Sequence, residues 1–456
     1  MQNRDVTPAS RRSQWAWYLY DFGNSAYAAV VLLAVYAAYF QGQVVGGAEG
    51  SRLWGLSVGL AMLVVALSSP ILGTIADFSG SKKRFLFFFT AVSCVFTALL
   101  FFVKPGDVLT GMVFFIVAEV GYRSAQVFYN ALLPEIATPE ELGRVSGNGW
   151  AIGSAGGIVC LLIILPLIML VKGTVIVRVS FLITAIFFAA STIPIWLWLK
   201  EKAEPQPLPQ GETYLSIGWK RLVRTFRAVT RYREFVKFMV AFLVYNDGII
   251  MALDFAAILG AVLYGLNQQQ LIIMMIIVQF TSVAGAWLFG LLAERLSFKR
   301  ALVAALIVML GSIVWMFLNR SAIAFFAVAA LAGFALTGVQ SLSRAMAGIF
   351  APAGRSAEFY GFFATSGRTS SFIGPTIYGW IALAAARWYE GQGQVLLAAE
   401  QSGHRVAILS IGLFLIVGLV LLTFVDPAKG LAAAALPEPG QTSDTAPVGS
   451  KVGLSG

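Results

Sequence analysis

Twelve long apolar segments occupy most of this chain, and they constrain its fold more than any other feature of the sequence. A helix that crosses a membrane needs about 20 mainly apolar residues. Six such segments precede the middle of the chain, at roughly 15–40, 53–77, 84–103, 109–133, 145–171 and 176–199. Six more follow, at roughly 236–264, 270–293, 300–318, 322–350, 358–386 and 405–425. The sequence therefore predicts an all-α integral membrane protein with twelve transmembrane helices.

The composition excludes a soluble globular protein and a mainly disordered one. Hydrophobic residues make up 58% of the sequence and charged residues 12%, whereas charged residues are about a quarter of a soluble globular protein. One histidine, His404, and two cysteines inside apolar runs offer too few ligands for a metal site. We expect His404 to lie in a loop at the membrane surface, and we expect no cofactor.

Charged and proline-containing stretches divide the chain into five parts. A polar N-terminal tail (1–14) precedes the first six-segment half (15–199), and a linker (200–235) joins it to the second half (236–425). The last part (426–456) is rich in Pro, Gly, Ser and Thr. We expect this tail to be disordered, because it has too few apolar residues to form a core.

The linker contains a pattern that is typical of a helix lying on a membrane surface. Apolar residues recur at helical spacing from Leu215 to Val229, and basic residues such as Lys220 fill the other face. The predicted loops and tails on the linker side hold 22 lysines and arginines, against 7 on the other side. Because cytoplasmic loops are enriched in these residues, both termini are predicted to be cytoplasmic. The net charge of +10 then reflects topology and contact with membrane lipids, and no nucleic-acid partner is expected.

The two halves repeat each other weakly and in register. The motif GTIADFSGSKKR begins at Gly73, and the related GLLAERLSFKR begins at Gly290, 217 positions later. Gln126 and Gln340 correspond at an offset of 214. Such a repeat predicts two pseudo-symmetric six-helix halves, which is the layout of major facilitator transporters.

Several motifs make the resemblance to a family specific. The loop residues Gly73, Asp77, Gly80, Lys82 and Lys83 resemble the signature loop of the major facilitator superfamily, although Ser81 shifts the basic run by one position. The segments WYLYDFGNSAYA, FYNALLPE, GRVSGNGWAIG, YNDG and GVQSLSRA resemble the vacuole-effluxer branch, also called the unknown-major-facilitator family. The resemblance covers residues 15–425. It implies the major facilitator fold, alternating access, and a relationship to a fungal vacuolar amino-acid effluxer.

Ionisable residues inside the predicted spans are the candidate functional groups, because such residues are costly in a bilayer and usually functional. The acids are Asp21, Glu119, Asp247 and Asp254, and the bases are Arg123, Arg344 and Arg368. If all seven are ionised, their charges sum to −1. One carboxylate is then available for a proton, a metal cation or a substrate ammonium group.

The fourth span carries a polar stripe with two open interpretations. Glu119, Arg123, Gln126 and Asn130 recur on one helical face. They form either a structural ion pair that holds helices together or the lining of a wet cavity. The resemblance implies that the first, fourth, seventh and tenth helices line this cavity. The residues predicted to bind substrate are Asp21, Asn24, Tyr27, Glu119, Arg123, Gln126, Asn130, Asn246, Asp247, Gln340, Arg344 and Arg368.

Two carboxylates have more specific predicted roles. Asp21, with Asn24 and Tyr27 near it in the sequence, either holds an ammonium group or makes a helix–helix contact. Asp247 lies near the middle of the seventh span, where coupling-ion sites cluster, and it is the predicted proton carrier. Asp254 is the second candidate for that role.

A set of residues at the linker side is predicted to control opening and closing. Asp77 opposes the dipole of its own helix, and by the resemblance its partner lies at the start of the eleventh helix, where Arg355 stands. The repeat offers Glu294 and Arg144 as the mirror pair. The predicted gating residues are Gly73, Asp77, Gly80, Lys82, Lys83, Arg144, Glu294 and Arg355.

These observations predict a secondary transporter of the bacterial inner membrane, and not an enzyme. The predicted substrate is a small polar or zwitterionic solute, and the resemblance points to amino-acid efflux. We expect a monomer, with protons as the candidate coupling ion. The alternatives are a sugar, drug or lipid-like solute carrier of the same fold, or a receptor of this fold that transports nothing.

Overall fold

The computed structural model describes residues 11–78, 80–137, 142–171, 173–201, 211–229, 231–351, 359, 362–363, 366–367 and 371–435. Within these ranges the chain forms helices and connecting loops, without a β-strand. Eleven of the described helical segments are long and apolar enough to cross a membrane. A further helix, Ile373–Gly391, falls in the remaining predicted segment. The all-α membrane fold predicted from the sequence is therefore confirmed.

The helices follow the chain in two sets of six. The first half consists of α1 (Arg11–Val45), α2 (Gly47–Phe78), α3 (Lys82–Leu99), α4 (Val108–Ala131), α5 (Leu142–Leu170) and α6 (Thr174–Trp198). The second half consists of α7 (Arg233–Asp254), α8 (Gln268–Arg295), α9 (Phe298–Leu318), α10 (Ala322–Ile349), α11 (Ile373–Gly391) and α12 (Leu396–Thr423). A short helix that we call the α7 extension, Ala256–Tyr264, continues α7.

Among the described residues of the linker, a helix spans Tyr214–Val229, and this linker helix packs against α2. Glu201, near the start of the linker, accepts hydrogen bonds from the backbone N–H groups of Lys82 (2.6 Å) and Lys83 (3.4 Å) at the start of α3. We call this side of the bundle the linker end and the opposite side the far end.

The tail predicted to be disordered begins with a helix, Pro427–Ala435, which corrects that prediction for these residues. Asp426 accepts hydrogen bonds from the backbone N–H groups of Ala428 (3.0 Å) and Lys429 (3.2 Å), so it caps the helix. The helix packs on α7 and α10, with Gly430 against the ring of Phe350. The rest of the predicted tail, 436–456, lies outside the described residues.

The last transmembrane helix begins earlier than the hydropathy pattern suggested. α12 starts at Leu396 instead of near residue 405, and it includes His404, which was predicted to lie in a loop. Polar side chains in its first turns made this stretch look like a loop. They are satisfied inside the protein, because Gln41 donates to Glu400 (2.7 Å) and His404 bonds to the hydroxyls of Ser51 and Tyr378 (2.9 Å each).

The halves meet tightly at the far end. The Gln41–Glu400 and Ser51–His404 hydrogen bonds each join a residue of the first half to one of the second half. α2 also packs on α11 so closely that a Cβ added at Gly55 would lie 2.2 Å from the Pro375 carbonyl oxygen. The far end is therefore closed.

Within each half, glycines let helix backbones touch. A Cβ added at Gly156 of α5 would lie 1.9 Å from the Phe22 carbonyl oxygen of α1. In the second half, a Cβ added at Gly285 of α8 would lie 1.9 Å from the Phe334 carbonyl oxygen of α10. Close packing of small residues is a main source of helix association in membranes.

We expect Gly156→Ala to destabilise the protein, because its methyl group would collide with backbone and force α1 and α5 apart. Overpacking of this kind costs about 1–3 kcal/mol. Gly412→Ala is the matched control, because nothing lies within 4 Å of a Cβ built there. Thermal unfolding of the detergent-purified variants would measure the difference. Equal midpoints for the two variants would contradict the packing described for α1 and α5.

Candidate functional site

A buried ion pair lies in the middle of α4. Glu119 is fully buried, and its Oε1 accepts a hydrogen bond from Nε of Arg123 at 2.7 Å. The Arg123 guanidinium also lies over the ring of Tyr122, 5.2 Å from its centroid. The spacing of four residues in the sequence brings these charges together on one helical face.

A second carboxylate faces this pair from the other half of the protein. Asp254, the last residue of α7, is 5% exposed and interacts electrostatically with both Arg123 and Glu119. Its Oδ2 has no hydrogen-bond partner among the described residues. Two carboxylates therefore lie within electrostatic range of one guanidinium, and Glu119 is the one that is hydrogen-bonded to it.

Aromatic side chains border the charged group. The ring of Tyr27 on α1 stacks on that of Tyr122 at 4.5 Å. Its hydroxyl is close enough to the Glu119 carboxyl group to interact with it electrostatically, but it is not in hydrogen-bond geometry. Tyr27, predicted to bind substrate, thus lies beside Glu119 and Arg123.

Asp21 occupies a different position, at the contact between α1 and α5. Its Oδ1 accepts a hydrogen bond from Asn24 Nδ2 at 3.4 Å. A Cβ added at Gly153 would lie 2.2 Å from Asp21 Oδ2, so the carboxyl group rests directly on α5. This geometry matches the helix–helix contact that was one of the two interpretations of Asp21.

Asn246 and Asp247 lie where α7 meets α11. Asn246 donates to the Gly367 carbonyl oxygen at 3.4 Å, and Gly374 packs against the backbone of Asp247. Asp247 is 3% exposed. These contacts place both residues beside the residues at and just before the start of α11.

Exposed polar side chains of α4 and α10 lie toward the linker end. Along α4, exposure rises from the buried Glu119 through the partly exposed Arg123 and Gln126 to the exposed Asn130. Gln340 and Arg344 of α10 are both exposed. Such polar side chains are unfavourable against lipid, and the lining of a cavity by these stripes stays a prediction.

The predicted gating loop contacts the first half and the start of the linker. Gly80 has φ of +54°, a backbone conformation that favours glycine. Lys82 forms an ion pair with Glu135, and Lys83 Nζ donates to the Leu199 carbonyl oxygen at 2.7 Å. Burial raises the pKa of Glu201, which lies beside this loop. The hydrogen bonds that its carboxylate accepts from two backbone N–H groups partly offset this rise.

The structure gives the surroundings of only some of the remaining predicted gating and binding residues. Gly73 has open space around it, and Glu294 is exposed at the end of α8. The side chains of Asp77 and Arg144, and the whole of Arg355 and Arg368, lie outside the described residues. The predicted Asp77–Arg355 and Glu294–Arg144 contacts therefore stay predictions.

Several residues of the halves' interface were not predicted from the sequence. They include Trp54, whose indole N–H donates to the Asp254 carbonyl oxygen at 2.8 Å, and the Gln41–Glu400 pair. The only available signal was a polar residue inside an extended apolar pattern. The described residues contain no cluster of His, Cys, Asp or Glu that could hold a metal ion.

Comparison with known proteins gives consistent results over most of the chain. A protein-family model described as "Vacuole effluxer Atg22 like" matches residues 54–435. An uncharacterized MFS-type transporter of Bacillus subtilis (strain 168), YxiO, is 28% identical over 90% of this chain and 94% of its own length. Autophagy-related protein 22 of Yarrowia lipolytica is 23% identical over 72% of this chain and 69% of its own length.

The fold is also similar to a solved structure. A bacterial homologue of the human lysosomal transporter Spinster, in an inward-facing and unoccupied conformation, superimposes with a TM-score of 0.70. The match covers 93% of this chain and 98% of the other, at 14% sequence identity. At that identity the likeness establishes the major facilitator fold and no more.

We expect Arg123→Gln to be destabilising by about 3–5 kcal/mol, because it leaves the buried Glu119 carboxylate without its guanidinium partner. Glu119→Gln should cost less, because Arg123 keeps Asp254 as a counter-charge. The double variant should be more stable than Arg123→Gln alone. Thermal unfolding of the three variants would measure this. Lys220→Gln, at an exposed ion pair with Glu212, is the control and should cost about 1 kcal/mol or less. Additive losses in the double variant would contradict direct pairing.

Proposed function

This chain belongs to the family of vacuole effluxer Atg22-like proteins and is a transporter of the major facilitator type, and we propose that it carries a small zwitterionic solute by alternating access. The observation that carries the proposal is the charged group formed by Glu119, Arg123 and Asp254 at the boundary between the halves. Transporter binding sites commonly lie at such a boundary, near the middle of the membrane.

The chemistry of this group suits a solute with both charges. Arg123 offers a planar set of donors for a carboxylate. Glu119 and Asp254 offer acceptors for an ammonium group. An amino acid carries both, so amino-acid efflux is the specific form of the proposal, and the family's description as effluxers supports the direction.

The difference between the two ends of the bundle supports a transport role. The far end is closed by side chains of both halves, whereas polar residues of α4 and α10 are exposed toward the linker end. A solute entering from the linker end would reach Gln340 and Arg344 first. Glu119 lies deepest along this route.

We propose Asp254 as the carrier of a coupling proton. It is buried, it shares Arg123 with Glu119, and one of its oxygens has no hydrogen-bond partner among the described residues. Two carboxylates and one guanidinium carry a net charge of −1, so a bound proton would neutralise the group. Asp247 is the alternative carrier, at the contact with α11.

The membrane and the orientation are also proposals. The excess of lysine and arginine on the linker side supports a cytoplasmic linker end and cytoplasmic termini. The linker helix, with Trp219 and Leu215 exposed and Lys220 beside them, suits contact with lipids of that leaflet. Similarity to a Bacillus subtilis transporter supports a bacterial plasma membrane.

A ligand screen tests the substrate class directly. Purified protein would be heated with amino acids, sugars, nucleosides and apolar drugs, because a ligand that binds the folded state raises its unfolding temperature. Stabilisation by amino acids that disappears in Arg123→Gln and persists in Lys220→Gln supports the proposal. Stabilisation by sugars or drugs alone favours the alternative solute classes, and no stabilisation by any class favours a non-transporting role.

We expect Asp254→Asn to abolish accumulation driven by a pH gradient while keeping exchange of solute between the two sides of sealed vesicles. Exchange requires no net proton movement, so the loss should be confined to the coupled mode. The measurement is uptake with and without an uncoupler. Asp107→Asn, in an exposed loop, should behave as the native protein. The same selective loss in Asp247→Asn but not in Asp254→Asn would transfer the role to Asp247.

We expect a fluorescent protein that matures only in the cytoplasm to be active when fused after the tail helix. A periplasmic phosphatase fused at the same point should be inactive. A fusion inserted in the far-end loop at Lys104 should give the opposite pair of results, because that loop lies across the membrane. Identical reporter activity at both sites would overturn the proposed orientation.

A further inference from the structure

The first helix bends near the far end. In α1, a π-helical segment, Ala28–Ala34, ends at Val35, and a short α-helical turn, Tyr36–Tyr39, follows. The carbonyl oxygen of Ala34, the last residue before the bend, accepts a hydrogen bond of 2.8 Å from the Gln268 side chain. Gln268 is the first residue of α8, so the donor belongs to the other half.

The seventh helix has the same arrangement with the halves exchanged. α7 ends at Asp254, Phe255 forms the bend, and the α7 extension follows. The Asp254 carbonyl oxygen accepts a hydrogen bond of 2.8 Å from the indole N–H of Trp54. Trp54 is in the early part of α2 and is fully buried.

The internal repeat relates these two hydrogen bonds to each other. Ala34 and Asp254 are 220 positions apart, and Trp54 and Gln268 are 214 apart, close to the offsets of the sequence repeat. Backbone bonds after the bends also correspond, from Tyr39 N–H to Val35 (3.0 Å) and from Leu259 N–H to Phe255 (2.8 Å). α1 corresponds to α7 in this repeat, and α2 corresponds to α8.

We propose that Trp54 and Gln268 are paired gating residues, each holding the far end closed by capping the bend of a helix in the opposite half. A carbonyl group inside a membrane protein needs a hydrogen-bond partner. At each bend that partner comes from across the interface. When the halves separate at the far end, both bonds must break together.

The bonds therefore contribute free energy to the far-end-closed state alone. A contact shifts a conformational equilibrium only by the difference in its strength between the two states. Loss of one such hydrogen bond should change the ratio of open to closed far ends by about two- to tenfold. This inference rests on alternating access, but not on the identity of the solute or the coupling ion.

Pulsed electron-paramagnetic-resonance distances in the full-length protein would test the proposal without any substrate. One pair of spin labels, at Lys104 and Arg320, reports on the far end, and another, at Arg84 and Arg300, reports on the linker end. All four positions are exposed. The native Cys94 and Cys160 are buried and would be replaced by alanine in every variant.

The test variants are Trp54→Phe and Gln268→Met, which remove the donor and keep most of the side-chain volume. Two matched controls remove hydrogen bonds within one half. Tyr39→Phe removes a bond to the Val103 carbonyl oxygen (2.9 Å), and Gln401→Met removes one to the Val262 carbonyl oxygen (3.0 Å).

We expect both test variants to gain a population with a longer far-end distance and a shorter linker-end distance, while the controls match the native protein. Unchanged distances in both test variants would overturn the proposal, as would equal shifts in the controls. If Trp54→Phe fails to fold, Gln268→Met alone decides between these results. If the test variants show the expected distance shifts but the native protein binds no amino acid, the gating proposal stands and the proposed solute is rejected.

Discussion

Polar groups inside a lipid-embedded bundle are costly unless they find a hydrogen-bond or charge partner, and the rest of the structure depends on this constraint. Glu119 is tolerated at the centre of α4 because Arg123 lies one turn away. His404 and Glu400 are tolerated in α12 because residues of the first half reach them. Partners supplied by the opposite half become part of the conformational equilibrium, because they are lost when the halves separate.

The distribution of these partners explains why the two ends of the bundle differ. At the far end, side chains of one half satisfy carbonyl and carboxyl groups of the other, so closure there removes exposed polar groups. Toward the linker end, polar residues of α4 and α10 such as Asn130 and Gln340 are exposed, where water can satisfy them. One end closed by contacts between the halves and one end with exposed polar residues is the arrangement that the proposed alternating access requires.

Local chain geometry explains which parts of the candidate site were predictable from the sequence. Glu119 and Arg123 could be paired in advance, because their spacing on a helix determines their distance. Asp254 could be identified as an intramembrane acid, but not as the residue facing that pair, since its position depends on how α7 bends and docks. His404 was placed in a loop, because the pattern of hydropathy does not reveal that Ser51 and Tyr378 would satisfy it.

The sequence by itself determined the all-helical membrane fold, the two-half repeat and the set of intramembrane charges. These follow from helix length, from the period of the apolar pattern and from the cost of a charge in lipid. Only the tertiary structure decided which charges meet, which end is closed, and that Trp54 and Gln268 cap bends in opposite halves. The Trp54 and Gln268 hydrogen bonds join residues 200 and 234 positions apart, and their geometry is set by packing between helices rather than by local preference.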